Sequence, residues 1–178
     1  IPVIIGNHPD LETVANQFRV PFQCLPVTAA TKAAQESQVQ ELLRQHHVDL
    51  VVMARYMQIL SGDFVDAWGG RLINIHPALL PRHGGPGMYG RRVHQAVLDA
   101  GDQESGATVH FADEAYDRGE ILGQGRVPVL PGDTAENLAA LVGVANGLCI
   151  SFAHEDDALD HGLEERILEE FGQFEPGK

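Results

Sequence analysis

The stretch Leu72-Ile-Asn-Ile-His-Pro-Ala-Leu-Leu-Pro81 decides how the rest of the chain is read. An apolar, β-rich run ends there in two polar residues, Asn74 and His76. Two prolines, Pro77 and Pro81, then stop regular structure. Alternate residues of a strand share a face, so Asn74 and His76 are expected to project together. A hydrogen-bond donor beside a group that titrates near neutrality is a candidate catalytic pair.

Upstream, Val48–Ala54 reads as a continuous apolar strand, expected to be buried on both faces of a parallel sheet. The helix before it spans Thr31 to His46, with Thr31 as its cap. Strands over Val3–Ile5 and Phe22–Val27 bracket a helix through Leu11, Val14, Ala15 and Phe18, capped by Asp10. After Ala54, the segment Arg55–Leu60 leaves the strand's carboxyl end, and Ser61 caps a short helix to Trp68. Downstream, residues 76–90 form a loop rich in glycine and proline, long enough to suspect of function. A helix over Arg91–Ala100 follows. Strands over Ala107–Ala112 and Ile121–Val129 flank an acidic turn, and Asp133 or Thr134 caps a further helix.

This alternation argues for an α/β fold, a mostly parallel sheet flanked by helices. Ligands bind at the carboxyl ends of such strands, which places Arg55–Leu60 and Asn74–His76 on one edge. Residues 1–145 are expected to form one domain. Residues 146–178 are expected to form an acidic helical tail, with Leu163, Ile167, Leu168 and Phe171 on one side of a single helix.

The 178 residues, 44% of them apolar, suit one domain of ordinary globular composition. A net charge of −13 argues against non-specific nucleic-acid binding. Local basic groups still permit an anionic small substrate. Two cysteines, Cys24 and Cys149, make no disulfide framework and fit a reducing, cytoplasmic compartment. No apolar run approaches a membrane span. The opening Ile1-Pro-Val-Ile-Ile-Gly6 lacks the basic flank of a secretory leader, and it lacks Met, so the chain is expected to begin inside a longer protein.

Asp117, in the turn Asp113-Glu-Ala-Tyr-Asp-Arg-Gly119, is a candidate third member of the Asn74–His76 pair. A carboxylate near histidine raises its pKa and orients it. The alternative is a strand-end histidine satisfying loop carbonyls, with aspartates that only shape a turn. Gly85-Pro-Gly-Met-Tyr-Gly90 matches the dinucleotide fingerprint in spelling alone. No strand precedes it, and His110 stands where an acid is needed about 20 residues on. A loop that lets a substrate approach the backbone fits better. His76, His83, His94 and His110 lack metal-ligand spacing, so no metal is expected. There is no nucleophile elbow and no triad-like cysteine.

The stretch around Asn74 and His76 resembles the signature of the folate-dependent formyltransferases. Gly87-Met-Tyr-Gly90, Val93-His-Gln-Ala96, Ser105-Gly-Ala-Thr-Val-His-Phe111, Asp117-Arg-Gly119 and Val127-Pro-Val-Leu-Pro-Gly-Asp-Thr134 are similar to the phosphoribosylglycinamide formyltransferase branch. The match runs from about residue 3 to 142, with several motifs in the right order. It implies a Rossmann-like formyltransferase fold, 10-formyltetrahydrofolate as co-substrate and glycinamide ribonucleotide as acceptor. It also implies Asn74, His76 and Asp117 as catalytic residues, with Asp117 keeping His76 charged. Folate-binding positions are then Met57, Gln58, Ile59, Leu60, Ala112, Asp113, Glu114, Ala115 and Tyr116. Ribonucleotide-binding positions are Gly87, Met88 and Tyr89.

Three features depart from that branch. The strand and glycine-rich phosphate loop with which the family begins precede the first residue here. Val142-Gly-Val-Ala-Asn-Gly-Leu148 lacks the acid that the family carries near this point. The front half, with Gly6-Asn-His-Pro-Asp-Leu11, Thr31-Lys32 and Met53-Ala-Arg-Tyr-Met-Gln-Ile-Leu60, is closer to formyltetrahydrofolate deformylase, which hydrolyses the same donor. That enzyme is the alternative reading. A folate-binding domain without catalysis is the alternative of another class.

Overall fold

A computed structural model describes residues 1–143 and 174–176. The strands are β1 (Ile4–Gly6), β2 (Phe22–Cys24), β3 (Val51–Ala54), β4 (Leu72–His76), β5 (Glu104–Phe111), β6 (Ile121–Pro128) and β7 (Phe174–Pro176). The helices are α1 (Glu12–Gln17), α2 (Lys32–Gln45), α3 (Gly62–Trp68), α4 (Arg91–Asp99) and α5 (residues 135–143).

The α/β class holds. Strands β1 and β2 pair in parallel as a two-stranded sheet, and a five-stranded sheet runs in the order β3-β4-β5-β6-β7. The expected parallel pairing occupies the front half, where β3 pairs with β4. The strands beyond β4 add antiparallel pairs. A turn too short to cross the sheet joins β5 to β6, so that pair returns antiparallel.

Apolar alternation on β4 fixes which side chains face which layer. Ile73 and Ile75 pack on Ala107 and Val109 of β5, beneath Val97 of α4 and Leu138 and Val142 of α5. Leu72 faces the other layer, with Leu43 of α2, Leu60, and Phe64 and Trp68 of α3. Asn74 and His76 share parity with Leu72 and lie on that second face. The strand therefore spends one face on core and ends its other face in polar chemistry.

The helix starts divide. Ser61 caps α3, its hydroxyl accepting from Phe64 N at 3.3 Å. Thr134 caps α5 through a reciprocal pair: its hydroxyl accepts from Asn137 N at 3.4 Å, and Asn137 Oδ1 accepts from Thr134 N at 2.6 Å. Thr31 does not cap α2; its hydroxyl turns back to accept from Thr28 N at 2.9 Å. Asp10 is not a cap either, because it lies inside the 3-10 turn Pro9–Leu11.

The strand expected over 48–54 is shorter and less buried than its composition suggests. Strand β3 begins at Val51 and bounds the five-stranded sheet, and Val52 is 36% exposed. An edge strand pairs on one side only, so apolar residues there are not fully covered. The helical tail expected over 146–178, Cys149 included, lies outside the described residues apart from β7. Among the described residues no helix is long and apolar enough to cross a membrane.

Candidate active site

The pairing of β4 with β5 assembles the site. Asn74 stands directly opposite His110, and His76 opposite Thr108. Cross-strand partners share a face, so four polar side chains converge on the layer that Leu72 begins. Asn74 Nδ2 donates to His110 Nε2 at 3.1 Å. His110 Nδ1 donates to the Phe111 carbonyl at 2.8 Å, which leaves Nε2 free to accept.

Asp117 enters from the turn between β5 and β6. Its backbone is left-handed, φ +53°, a region that aspartate visits more readily than most residues. Gly119 makes that turn fit. A Cβ there would stand 1.7 Å from the Phe111 carbonyl oxygen, so only glycine lets the turn fold back on β5. Gly84 keeps room on the other side, where a Cβ would meet Leu80 Cδ2 at 2.5 Å and Asp117 Cβ at 3.3 Å.

The carboxylate of Asp117 is held by four groups. Oδ2 accepts from Gly85 N at 2.8 Å and lies 3.4 Å from His76 Nδ1. Oδ1 accepts from Asn74 Nδ2 at 3.4 Å and lies 3.6 Å from His110 Nε2. Burial alone would raise its pKa. The Gly85 hydrogen bond, with the charge that His110 and His76 present when protonated, outweighs burial and holds the carboxyl below its usual range.

His76 is 4% exposed, with both ring nitrogens facing oxygen. Nε2 donates to the His83 carbonyl at 2.8 Å, and Nδ1 faces Asp117. Burial pushes its pKa down and outweighs the Asp117 charge and the His83 hydrogen bond, which push up. The expectation that Asp117 keeps His76 charged is therefore corrected for the unliganded protein. Desolvation of the imidazolium is the larger effect.

The loop after His76 is pinned by one buried hydroxyl. Thr108 Oγ1 donates to the Ala78 carbonyl at 2.6 Å and accepts from Leu80 N at 3.0 Å. Gln124 Nε2 reaches both Thr108 Oγ1 and the Leu80 carbonyl, each at 2.9 Å.

An open cleft with a volume of about 50 Å³ runs up to Asn74, His110 and Asp117. Gln58, Ile59 and Leu60 line it, as do Ala112, Asp113, Ala115 and Tyr116. Two segments singled out separately thus share one wall. Met57 and Glu114 do not line it; Met57 is 58% exposed. Gly87, Met88 and Tyr89 are not in the cleft wall. They form the turn before α4, where Arg92 lies 5.3 Å from the Tyr89 ring centre. Beneath the cleft wall, buried Glu36 accepts from Ser61 N at 3.3 Å and pairs with Lys32, which also donates to the Ile59 carbonyl. Burial first, then Glu36 and Tyr116, push the Tyr56 hydroxyl up to about 12, so Tyr56 stays a neutral donor in the cleft wall.

The family model described as formyl transferase matches residues 1–153, which takes in every side chain of this cleft. The chain belongs to that family. It is 44% identical over 125 residues to the chloroplastic phosphoribosylglycinamide formyltransferase of Arabidopsis thaliana, covering 66% of this chain and 43% of that protein. It is also 44% identical over 138 residues to formyltetrahydrofolate deformylase of Synechocystis, covering 78% of this chain and 46% of that one. The chain spans under half the length of both. Among solved structures, phosphoribosylglycinamide formyltransferase of Brucella melitensis superposes with a TM-score of 0.75 at 36% identity, covering 85% of this chain and 77% of that one. A deformylase from Burkholderia mallei superposes with a TM-score of 0.74 at 34% identity, covering 85% and 52%. The two branches of the formyl transferase family lie equally near.

Within the formyl transferase site, His110, Met53 and Tyr56 were not expected. In the sequence His110 stands out only as a poor metal candidate, as the wrong residue for a dinucleotide fingerprint and as part of the Ser105–Phe111 motif. Its alternation with Thr108 on β5 was visible, but its partner was not until the register was known.

Proposed function

We propose that this chain transfers the formyl group of 10-formyltetrahydrofolate to the amine of glycinamide ribonucleotide. The observation that carries the reading is the meeting of Asn74 and Asp117, with buried His76 3.4 Å from Asp117, at the end of a cleft lined by Gln58, Ile59, Leu60, Ala112, Asp113, Ala115 and Tyr116. The amine nitrogen attacks the formyl carbon, and the carbonyl electron pair moves onto oxygen. Asn74 turns one N–H from its present partners to that oxyanion. His76 takes a second proton from solvent onto Nδ1 as the donor binds, with Asp117 as its counter-charge, and its positive charge stands near the oxyanion as that develops. The proton lost by the amine passes through water held at Asp117 to the folate nitrogen. The carbon–nitrogen bond of the donor then breaks, releasing tetrahydrofolate and the formylated ribonucleotide. Gln58, Ile59, Leu60, Ala112, Asp113, Ala115 and Tyr116 hold the folate ring, and Gly87, Met88 and Tyr89 face the ribonucleotide.

The second reading is hydrolysis of the same donor, with water in place of the amine. It is supported by the equal identity to a deformylase and by the front-half motifs. One experiment separates the two. Full-length protein is mixed with 10-formyltetrahydrofolate, with and without glycinamide ribonucleotide. Folate release that requires the amine supports transfer. Release without it sinks transfer in favour of hydrolysis, and folate binding with neither reaction leaves a binding domain.

A further inference from the structure

His83 stands outside the cleft, yet it touches the centre through its backbone. Its carbonyl accepts from His76 Nε2 at 2.8 Å. A carbonyl has no proton to give, so Nε2 carries the hydrogen and Nδ1 is the atom that faces Asp117 at 3.4 Å. A main-chain oxygen thus sets the tautomer of His76.

That oxygen belongs to a residue with φ +55°. A non-glycine residue persists there only where its surroundings hold it. His83 Nε2 donates to Asp102 Oδ2 at 2.7 Å, and Arg82 binds Asp102 Oδ1 at 2.6 Å. Asp102 is anchored in turn, its N–H donating to the Val97 carbonyl at 3.2 Å where α4 leads into β5. The His83 and Asp102 side chains are 13% and 11% exposed, so water competes little for their bond. The His83 hydrogen bond, and Arg82 after it, hold the Asp102 carboxyl below its usual range.

We propose that the Asp102–His83 side-chain pair is a positioning device for His76: it fixes the His83 carbonyl, which keeps the proton on His76 Nε2 and turns Nδ1 toward Asp117. The kinetic arm of its test rests on the formyl-transfer reading, and the spectroscopic arm does not. The groups facing His76 are Asp117, His110 and His83, and His94 of α4 in turn feels the His76 charge. None of these is altered when Asp102 is replaced.

The test compares wild type with Asp102→Ala, His83→Phe and His83→Gln, each checked for folding by circular dichroism. Nitrogen-15 NMR reads the tautomer and titration of His76. Wild type and His83→Gln, whose amide can still donate to Asp102, are expected to show the Nε2–H form. Asp102→Ala and His83→Phe are expected to show mixed tautomers, with the titration moved to lower pH because an interaction favouring the charged ring is loosened. In turnover, Asp102→Ala is expected to lose about tenfold or more in kcat, with KM for the formyl folate nearly unchanged. His83→Gln should recover most of that loss. An unchanged His76 tautomer and titration in the folded Asp102→Ala or His83→Phe protein overturns the proposal. Absence of folate turnover in wild type overturns the formyl-transfer reading instead, and the NMR comparison still decides the role of the pair.

Discussion

Asn74 and His110 lie directly opposite each other on antiparallel β4 and β5, joined by a 3.1 Å hydrogen bond in which the amide donates and the imidazole accepts. The remaining Asn74 N–H points to Asp117. Both donors of the amide are therefore aimed by neighbours before any ligand arrives. Asn74→Ala is expected to lower kcat by about a hundredfold or more, the usual loss of an oxyanion donor. Steady-state folate release measures it, and a loss under threefold contradicts a role for Asn74 at the oxyanion.

Among the described residues Asp117 is the one carboxylate beside His76 Nδ1, and its charge raises the His76 pKa against the stronger effect of burial. Asp117→Asn removes that opposition. The His76 titration then moves further down, and the fall in kcat/KM that follows loss of the His76 proton moves to lower pH with it. A pH–rate profile with unshifted inflections counts against the pairing.

Acid stability follows from the same groups. Burial lowers His76 and His94 below the ordinary 6.5. The unfolded chain then binds protons that the folded one refuses, so stability is full above that value and lost as pH falls through the folded pKa values. Asp102 and Asp117, held below the usual 3.8, add a second loss at lower pH. The thermal midpoint is expected to drop between about pH 7 and pH 5, before the carboxylates titrate. A flat midpoint across that interval contradicts the buried neutral histidines.

Thr108 is fully buried, and its hydroxyl serves Ala78, Leu80 and Gln124 at once. Thr108→Val keeps the volume and removes those bonds. The Ala78 carbonyl and Leu80 N–H are left unsatisfied, at a cost of about 2–4 kcal/mol. Urea unfolding measures the loss, and the loop carrying His83 should become more protease-sensitive.

Much of this was legible from residues alone. Apolar alternation located β4 and put Asn74 and His76 on one face. The turn residues gave the limits of the 76–90 loop, and Ser61 announced α3. The register of β4 on β5 was not legible. His110 meets Asn74 across a separation of 36 residues, and nothing local to either strand encodes that match. The Asp117 turn was visible as acidic, but its fold-back depends on the missing Cβ of Gly119, a contact with the Phe111 carbonyl. Thr31 failed as a cap because a second threonine three residues earlier offered its hydroxyl a nearer partner. Strand β3 is less buried than its apolar composition implies because composition cannot distinguish an edge strand from a central one.

The β4–β5 register has one more consequence. Slipping β5 by two residues would leave every apolar side chain on its proper face, since sheet parity repeats every second position. Parity alone does not distinguish that arrangement from the native one. Asn74 would then face Thr108 and His76 would face Gly106, and the Thr108 hydroxyl would no longer meet Ala78 and Leu80. The polar pairs thus act as alignment marks that the oily layers lack. Folding to the correct register and assembling the chemistry are, in this chain, the same event.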